Sequence, residues 1–253
     1  MSIDLGDLLL LPNKAIYLRS INAIAFSDVH IGVEYAMAQQ GLFIPPIQYR
    51  RIRNTIETAI REYKPKKIVI VGDLKHTFSA RTPQEHKEVI DMLDFLKSLN
   101  IDVILVRGNH DNFIRGLLER YDFTITNVIE IGKYIFLHGH KDFLGDTKKE
   151  NKMIIIGHIH PTVSISDGLM RAKLPAFFVT DDMIVLHAMT PLLSGFDIIS
   201  GTLIEDEYKS PLLGDMKEYS LYAVIDGKKI INFGDIGDFI KAHTGLLENK
   251  KQK

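Results

Sequence analysis

Five stretches of this chain carry side chains that bind metals or move protons: Asp28-Val29-His30, Asp73, Asn109-His110-Asp111, His138-Gly139-His140 and His158-Ile159-His160. The chain has no cysteine, so any metal must be held by oxygen and imidazole nitrogen. Carboxylate and amide oxygens mixed with imidazoles suit Mn²⁺, Fe or Zn²⁺ better than an all-oxygen Mg²⁺ or Ca²⁺ cage. Asp28 and His30, two residues apart, would share one side of a strict strand, and at a strand end they could grip one ion. Asp73 has two oxygens and could bridge two ions. Two divalent ions ~3.5–4 Å apart would clamp a phosphate, and a hydroxide bridging them would attack phosphorus in line. His110 lies beside a candidate ligand and could protonate the leaving alkoxide, with Asp111 holding its tautomer.

Each stretch needs an element to deliver it. Apolar runs precede them: Ala23–Phe26 before Asp28, Lys67–Val71 before Asp73, Val103–Val106 before Asn109, Tyr134–Leu137 before His138 and Met153–Ile156 before His158. Runs of this length read as buried strands, and open α/β sheets place sites at strand C-terminal ends. Helical periodicity at Ile52, Ile56, Ala59, Ile60 and Tyr63 stops before Pro65. A second helix starts at Thr82-Pro83-Gln84-Glu85, where Thr82 caps and Glu85 could close a capping box. Strand–helix–strand spacing implies parallel βαβ units. Leu8–Leu11 and Ala15–Leu18 flank a turn, and after His160 the strands Met183–Leu186, Leu221–Ile225 and Lys229–Phe233 read as antiparallel. The prolines of the Gly41–Pro46 stretch make it a loop, lining the cleft or covering a sheet edge. The Phe78–Arg81 loop would wall the substrate pocket, and Pro191–Ser220 is a candidate lid or interface. No linker or repeat divides the chain, so one domain is expected over 1–253, with a tail fraying from about 245.

A net charge of −1 argues against a surface built for bulk nucleic-acid binding. The acidic N-terminus is a poor signal peptide, and no apolar run approaches the ~18 residues of a membrane span. A cytoplasmic protein with no membrane partner is expected, and a homo-oligomer is left open. His86 and His243 read as surface residues on helices, His140 as a loop residue and His187 as structural. Arg50, Arg51 and Arg53 read as a solvated helix face rather than a phosphate track.

Asp-x-His, Gly-Asp, Gly-Asn-His-Asp, His-Gly and Gly-His-x-His, in this order over Ser27–Pro161, resemble the signature of the calcineurin-like metallophosphoesterases. The resemblance implies an α/β fold, a four-layer α/β/β/α sandwich of two packed mixed sheets. It implies that Asp28, His30, Asp73 and His160 hold one divalent ion, and Asp73, Asn109, His138 and His158 a second, with Mn²⁺ ahead of Fe or Zn²⁺. His110 would be the proton donor. Ser-Asp-x-His-x-Gly and Gly-Asp-Leu-x-His look closest to the SbcD-related branch of small phosphoesterases, including the ligase-associated type. There the histidine matching His76 would help place the substrate phosphate, beside Asn109. Lys75 stands where that branch usually has an apolar residue, and the long nuclease capping domain is missing. The reading is a dinuclear phosphoesterase, phosphodiesters ahead of monoesters, whose substrate could be a nucleotide or nucleic acid. Its alternatives are a DNA nuclease working with repair partners and a catalytically inert binding scaffold of the same fold.

Overall fold

The computed structural model describes residues 1–78, 82–145, 149–166, 170–193, 195–200 and 209–251, the last eight by backbone alone. Residues 79–81 of the expected pocket loop, and 194 and 201–208 of the candidate lid, lie outside the described residues.

The first sheet is built from β1 (Ile3–Asp4), β2 (Leu8–Leu10), β3 (Ile16–Leu18), β4 (Ala23–Phe26), β5 (Lys67–Val71), β6 (Asp102–Val106) and β7 (Thr124–Thr126), hydrogen-bonded in that order. It is antiparallel as far as β4 and parallel from β4 to β7. Helices α1 (Val33–Gln39) and α2 (Gln48–Tyr63) follow β4, α3 (Pro83–Ser98) follows β5, and α4 (Arg115–Glu119) follows β6. The strands alternate strictly. Ile24, Phe26, Ile68, Ile70, Val103 and Leu105 meet the helices, whereas Ala23, Ala25, Val69, Val71 and Val106 face the second sheet. Burial on both faces is why these strands read as continuous apolar runs.

The second sheet takes β8 (Val128–Ile131), β9 (Tyr134–Leu137), β10 (Met153–Ile156), β11 (Thr162–Ser166), β12 (Arg171–Val179), β13 (Met183–Val185), β14 (Ser220–Ile225) and β15 (Lys229–Asp235). Its order is β15-β14-β12-β13-β10-β9-β8, with β11 pairing β12. Only the β9–β10 and β10–β13 pairs are parallel, so the expected hairpin character after His160 holds except at β13. Helix α5 (Ile236–Lys251) sets Ile236 against the outer face of this sheet. The result is an α/β sandwich of two mixed sheets with helices outside both.

Several elements differ from the expected ones. Strand β12 contains Pro175, which argues against a strand; it is tolerated where the strand's pairing passes from β11 to β14. Helix α1 is an addition, and Val33, Ala36, Met37 and Gln40 carry its helical spacing. The backbone from 245 to 251 continues α5, as its Leu, Glu and Lys content allows. The capping box is only half formed. Thr82 Oγ1 accepts from the Glu85 N–H at 3.1 Å, but the Glu85 carboxylate turns inward to take the N–H and hydroxyl of Thr77 at 2.8 and 2.5 Å.

At the end of the sandwich opposite the motif residues, Asp7 joins the sheets. It accepts from Ser20 N–H at 2.9 Å and from Tyr134 Oη at 2.6 Å, and pairs with Lys133 at 3.3 Å. Burial raises its pKa, but the Ser20, Tyr134 and Lys133 bonds outweigh that and hold it at about 2. A depressed carboxyl pKa stabilises the fold above the unfolded value, and the contribution is lost as pH falls towards the folded one. Asp7→Asn should therefore cost about 1–2 kcal/mol at pH 7. In denaturant titrations the gap to the parent should close between pH 4 and pH 2; a gap independent of pH would sink this account.

Candidate metal centre

Parallel register brings the motif residues to one edge. Phe26 pairs with Ile70, and Val71 with Val106, so the chain leaves β4, β5 and β6 side by side. The pairing runs on beyond the strands: Asp28 N–H donates to Gly72 O at 3.0 Å and His30 N–H to Asp73 O at 2.9 Å. Leu137 and Ile156 deliver His138 and His158 from the second sheet, and a Ser27–Ala188 bridge ties the two sheets at this edge.

Asp28 and His30 lie just past the end of β4 rather than on a strand face, and there they join one group of donors. Asp28, His30, Asp73, His158 and His160 all adopt left-handed backbone, with φ of 55, 49, 52, 69 and 48°. Such residues cost roughly 1–3 kcal/mol each and gather where a site over-determines them. Here the turns fold consecutive side chains inward. Glycines give the room: a Cβ on Gly108 would overlap the Asp73 carboxylate, and one on Gly72 the His138 ring.

The side chains converge. Asp28, His30 and His160 form one group whose donor atoms lie within 4.8 Å of one another; Asp28, Asp73 and His138 form another. Asp28 Oδ1 lies 3.2 Å from His160 Nε2, and Asp73 Oδ2 3.2 Å from His138 Nε2. Nε2 of His30 faces Nε2 of His160 at 3.3 Å, and Asn109 Oδ1 lies 3.1 Å from His138 Nε2. Asp28 and His138 are 0% exposed and Asp73 2%. His158 stands slightly apart, its ring 5.1 Å from that of His138 and its N–H 3.1 Å from Asp28 Oδ2.

This donor set fits a divalent cation. His138 Nδ1 donates to Val71 O at 2.9 Å, which leaves an inward lone pair on Nε2. His158 Nε2 donates to Lys209 O at 3.2 Å, leaving Nδ1. Lone pairs aimed at one another and at two buried carboxylates call for positive charge between them. The electrostatics agree. Burial opposes charge on His138, yet the Asp73 and Asp28 carboxylates lift its pKa to about 10. Burial likewise opposes ionisation of Asp28, but His160 and His138 hold it at about 2.

His110 faces this centre, with Nε2 3.9 Å from Asp73 Oδ2 and its ring edge-on to His30 at 4.8 Å. Its Nδ1 donates to the carbonyl of His76. Asp111, expected to hold that tautomer, does something else. Its carboxylate takes the backbone N–H groups of Asp73 and Gly108 on one oxygen, at 2.8 and 2.9 Å, and of Leu74 on the other, at 2.9 Å. The Gly108–Asp111 turn points it at these N–H groups of the β5 and β6 loops. Asp111 therefore anchors the backbone that carries Asp73.

The cleft above the centre holds about 370 Å³. His76, stacked on His110 at 5.4 Å, lines it with Phe78, Asn109 and Leu193. One wall is α1, through Val33, Ala36 and Met37, with Gln40 at its C-cap, so the Gly41–Pro46 loop does not line it. His140 packs on His138 and His158 at 5.4 and 6.0 Å, nearer the centre than a plain loop residue. His86 and His243 do not line the cleft, and Arg53 is taken up by Asp91 at 3.7 Å and by the Phe95 ring.

The chain resembles known proteins in family and in fold. The profile described as calcineurin-like phosphoesterase matches residues 21–185. No curated protein matches the chain by sequence. The crystal structure of Pseudomonas putida nuclease MPE superposes with a TM-score of 0.66 at 22% identity, covering 92% of this chain and 99% of that one. That likeness is one of fold. Yfce, a phosphoesterase from E. coli, gives a TM-score of only 0.40 at 18% identity, over 83% and 96% of the two chains.

If Asp111 is an anchor, Asp111→Asn weakens a charged acceptor of three N–H groups and should cost about 2 kcal/mol of unfolding free energy. Urea titration checks this. Unchanged stability with reduced turnover would instead return Asp111 to the service of His110.

Proposed function

The chain belongs to the calcineurin-like phosphoesterase family, and from that premise we propose that it is a dinuclear metal-dependent hydrolase of phosphodiesters. The observation that carries this reading is the joining of Asp28, Asp73, His30, His138 and His160 in one buried group with the His110 imidazole at its edge. Asp28, His30, Asp73 and His160 would hold one ion, and Asp73, Asn109, His138 and His158 the other, with Asp73 shared. Divalent ions bound there supply Lewis acidity, polarising the phosphoryl oxygen and making water nucleophilic near neutral pH. Mn²⁺ is the first ion to try, since it accepts both oxygen and imidazole donors.

The protein's own groups do the rest. The His76 carbonyl holds Nδ1–H of His110, so Nε2 is the nitrogen that hands a proton to the leaving alkoxide. His76, parallel to His110 and lining the cleft, would orient the phosphate with Asn109. The preference for diesters rests on charge. Among the described residues no Lys or Arg lines the cleft, so nothing there beyond the bound ions favours the second charge of a monoester. A complete donor set with His110 in place weighs against an inert scaffold.

With Mn²⁺ added, bis-p-nitrophenyl phosphate should be hydrolysed faster than p-nitrophenyl phosphate; no turnover of either would end the proposal. His110→Ala should retain its metal and lose a factor of about 10²–10⁴ in kcat. Ordinary turnover by that variant would remove the proton-donor role. Asp73→Asn should lose both ions by elemental analysis, and full occupancy would disprove the shared carboxylate.

A further inference from the structure

A second hollow of about 290 Å³ adjoins the cleft, and His160 and Leu193 line both. Its other walls include Lys14, Lys173, His187, Thr162 and Thr190. Lys14 and Lys173 offer ammonium donors, and no carboxylate lines the hollow among the described residues.

Lys14 sits in the β2–β3 turn with φ 71°. Its Nζ donates to the carbonyls of Ala188 and Met189 at 3.3 and 3.1 Å, which leaves a third N–H. No described carboxylate forms an ion pair with it, and burial lowers its pKa to about 8. A half-buried ammonium without a counter-charge is a cost that an incoming anion would remove. His187 is 2% exposed, packs edge-on to Phe177 at 5.3 Å, and has a buried Nε2 with no hydrogen-bond partner. Lys173 stands on exposed β12, its Nζ donating to Gly195 O at 3.2 Å.

We infer that this hollow is an anion subsite, in which Lys14 and Lys173 bind a second phosphate carried by the substrate beyond the one that reacts. The division of charge supports it. The catalytic cleft has no lysine or arginine among its described lining residues, whereas the hollow across His160 has two lysines. A phosphodiester bearing a further phosphate would place its reacting group over the buried centre and its neighbour on the ammonium groups. The subsite does not depend on the reaction, although its use in catalysis rests on the activity proposed above.

Calorimetric titration of the full, Mn²⁺-treated chain with inorganic phosphate tests it. A site that Lys14→Met and Lys173→Met each weaken about tenfold is expected, one charged hydrogen bond being lost in each. Lys173 is exposed, so its variant reports even if Lys14→Met disturbs the turn. Identical phosphate binding by the parent and Lys173→Met would overturn the subsite. Kinetically, the kcat/KM ratio of thymidine dinucleotides with a terminal phosphate to the one without should exceed one and fall about tenfold in Lys173→Met. A ratio of one for both terminal-phosphate isomers would equally overturn it. A lysine-dependent phosphate site in a chain that hydrolyses no diester would instead refute the proposed reaction and leave the subsite standing.

Discussion

Two carboxylates, Asp28 and Asp73, are buried together at the seam of two sheets, and the structure around them answers to that fact. A buried carboxylate is tolerated only when charge and hydrogen bonds reach it. Backbone N–H groups of His158 and His110 supply part of this, at 3.1 Å to Asp28 and 2.8 Å to Asp73. The imidazoles of His160, His138 and His30 supply the rest of the inner surface. The same crowding of acceptors and lone pairs makes the place poor for a neutral core and good for divalent cations.

Holding that arrangement requires rigid loops, and other buried carboxylates provide them. Asp111 gathers three backbone N–H groups under Asp73. Glu85 takes the N–H and hydroxyl of Thr77, next to His76. Glu34, also buried, accepts the N–H of Gln48 at 2.8 Å and so joins the start of α2 to α1. Each converts a loop that would otherwise fluctuate into a fixed support, which allows five residues to sit in left-handed backbone. The histidine facing the centre is oriented in the same manner, by a carbonyl rather than by a side chain.

Charge is divided around the centre. The cleft wall from α1 is mostly apolar and His30, Asp73, Asn109, His158 and His160 line the cleft, while the lysines lie across His160 in the adjoining hollow. No described helix is long and apolar enough to cross a membrane.

The strands that carry the site were legible in the sequence because their apolar runs are buried on both faces; β4, β5, β9 and β10 have the expected bounds. The residue types and their order also announced the centre, since Asp, Asn and His recurring at successive strand ends are the donors that a divalent cation takes. The register of the parallel strands alone brought Asp28 beside Asp73, and only the left-handed turns aimed Asp28, His30, His158 and His160 inward. The duty of Asp111 was decided by where the Gly108–Asp111 turn points its carboxylate, which no local spacing encodes. Lys14 and Lys173 were unreadable as a pair because 159 residues separate them, and only the packing of one sheet on the other makes them neighbours. Chemistry resides in residue types and is readable along the chain; partnership depends on distance in space, which the chain acquires only when its two sheets close on each other.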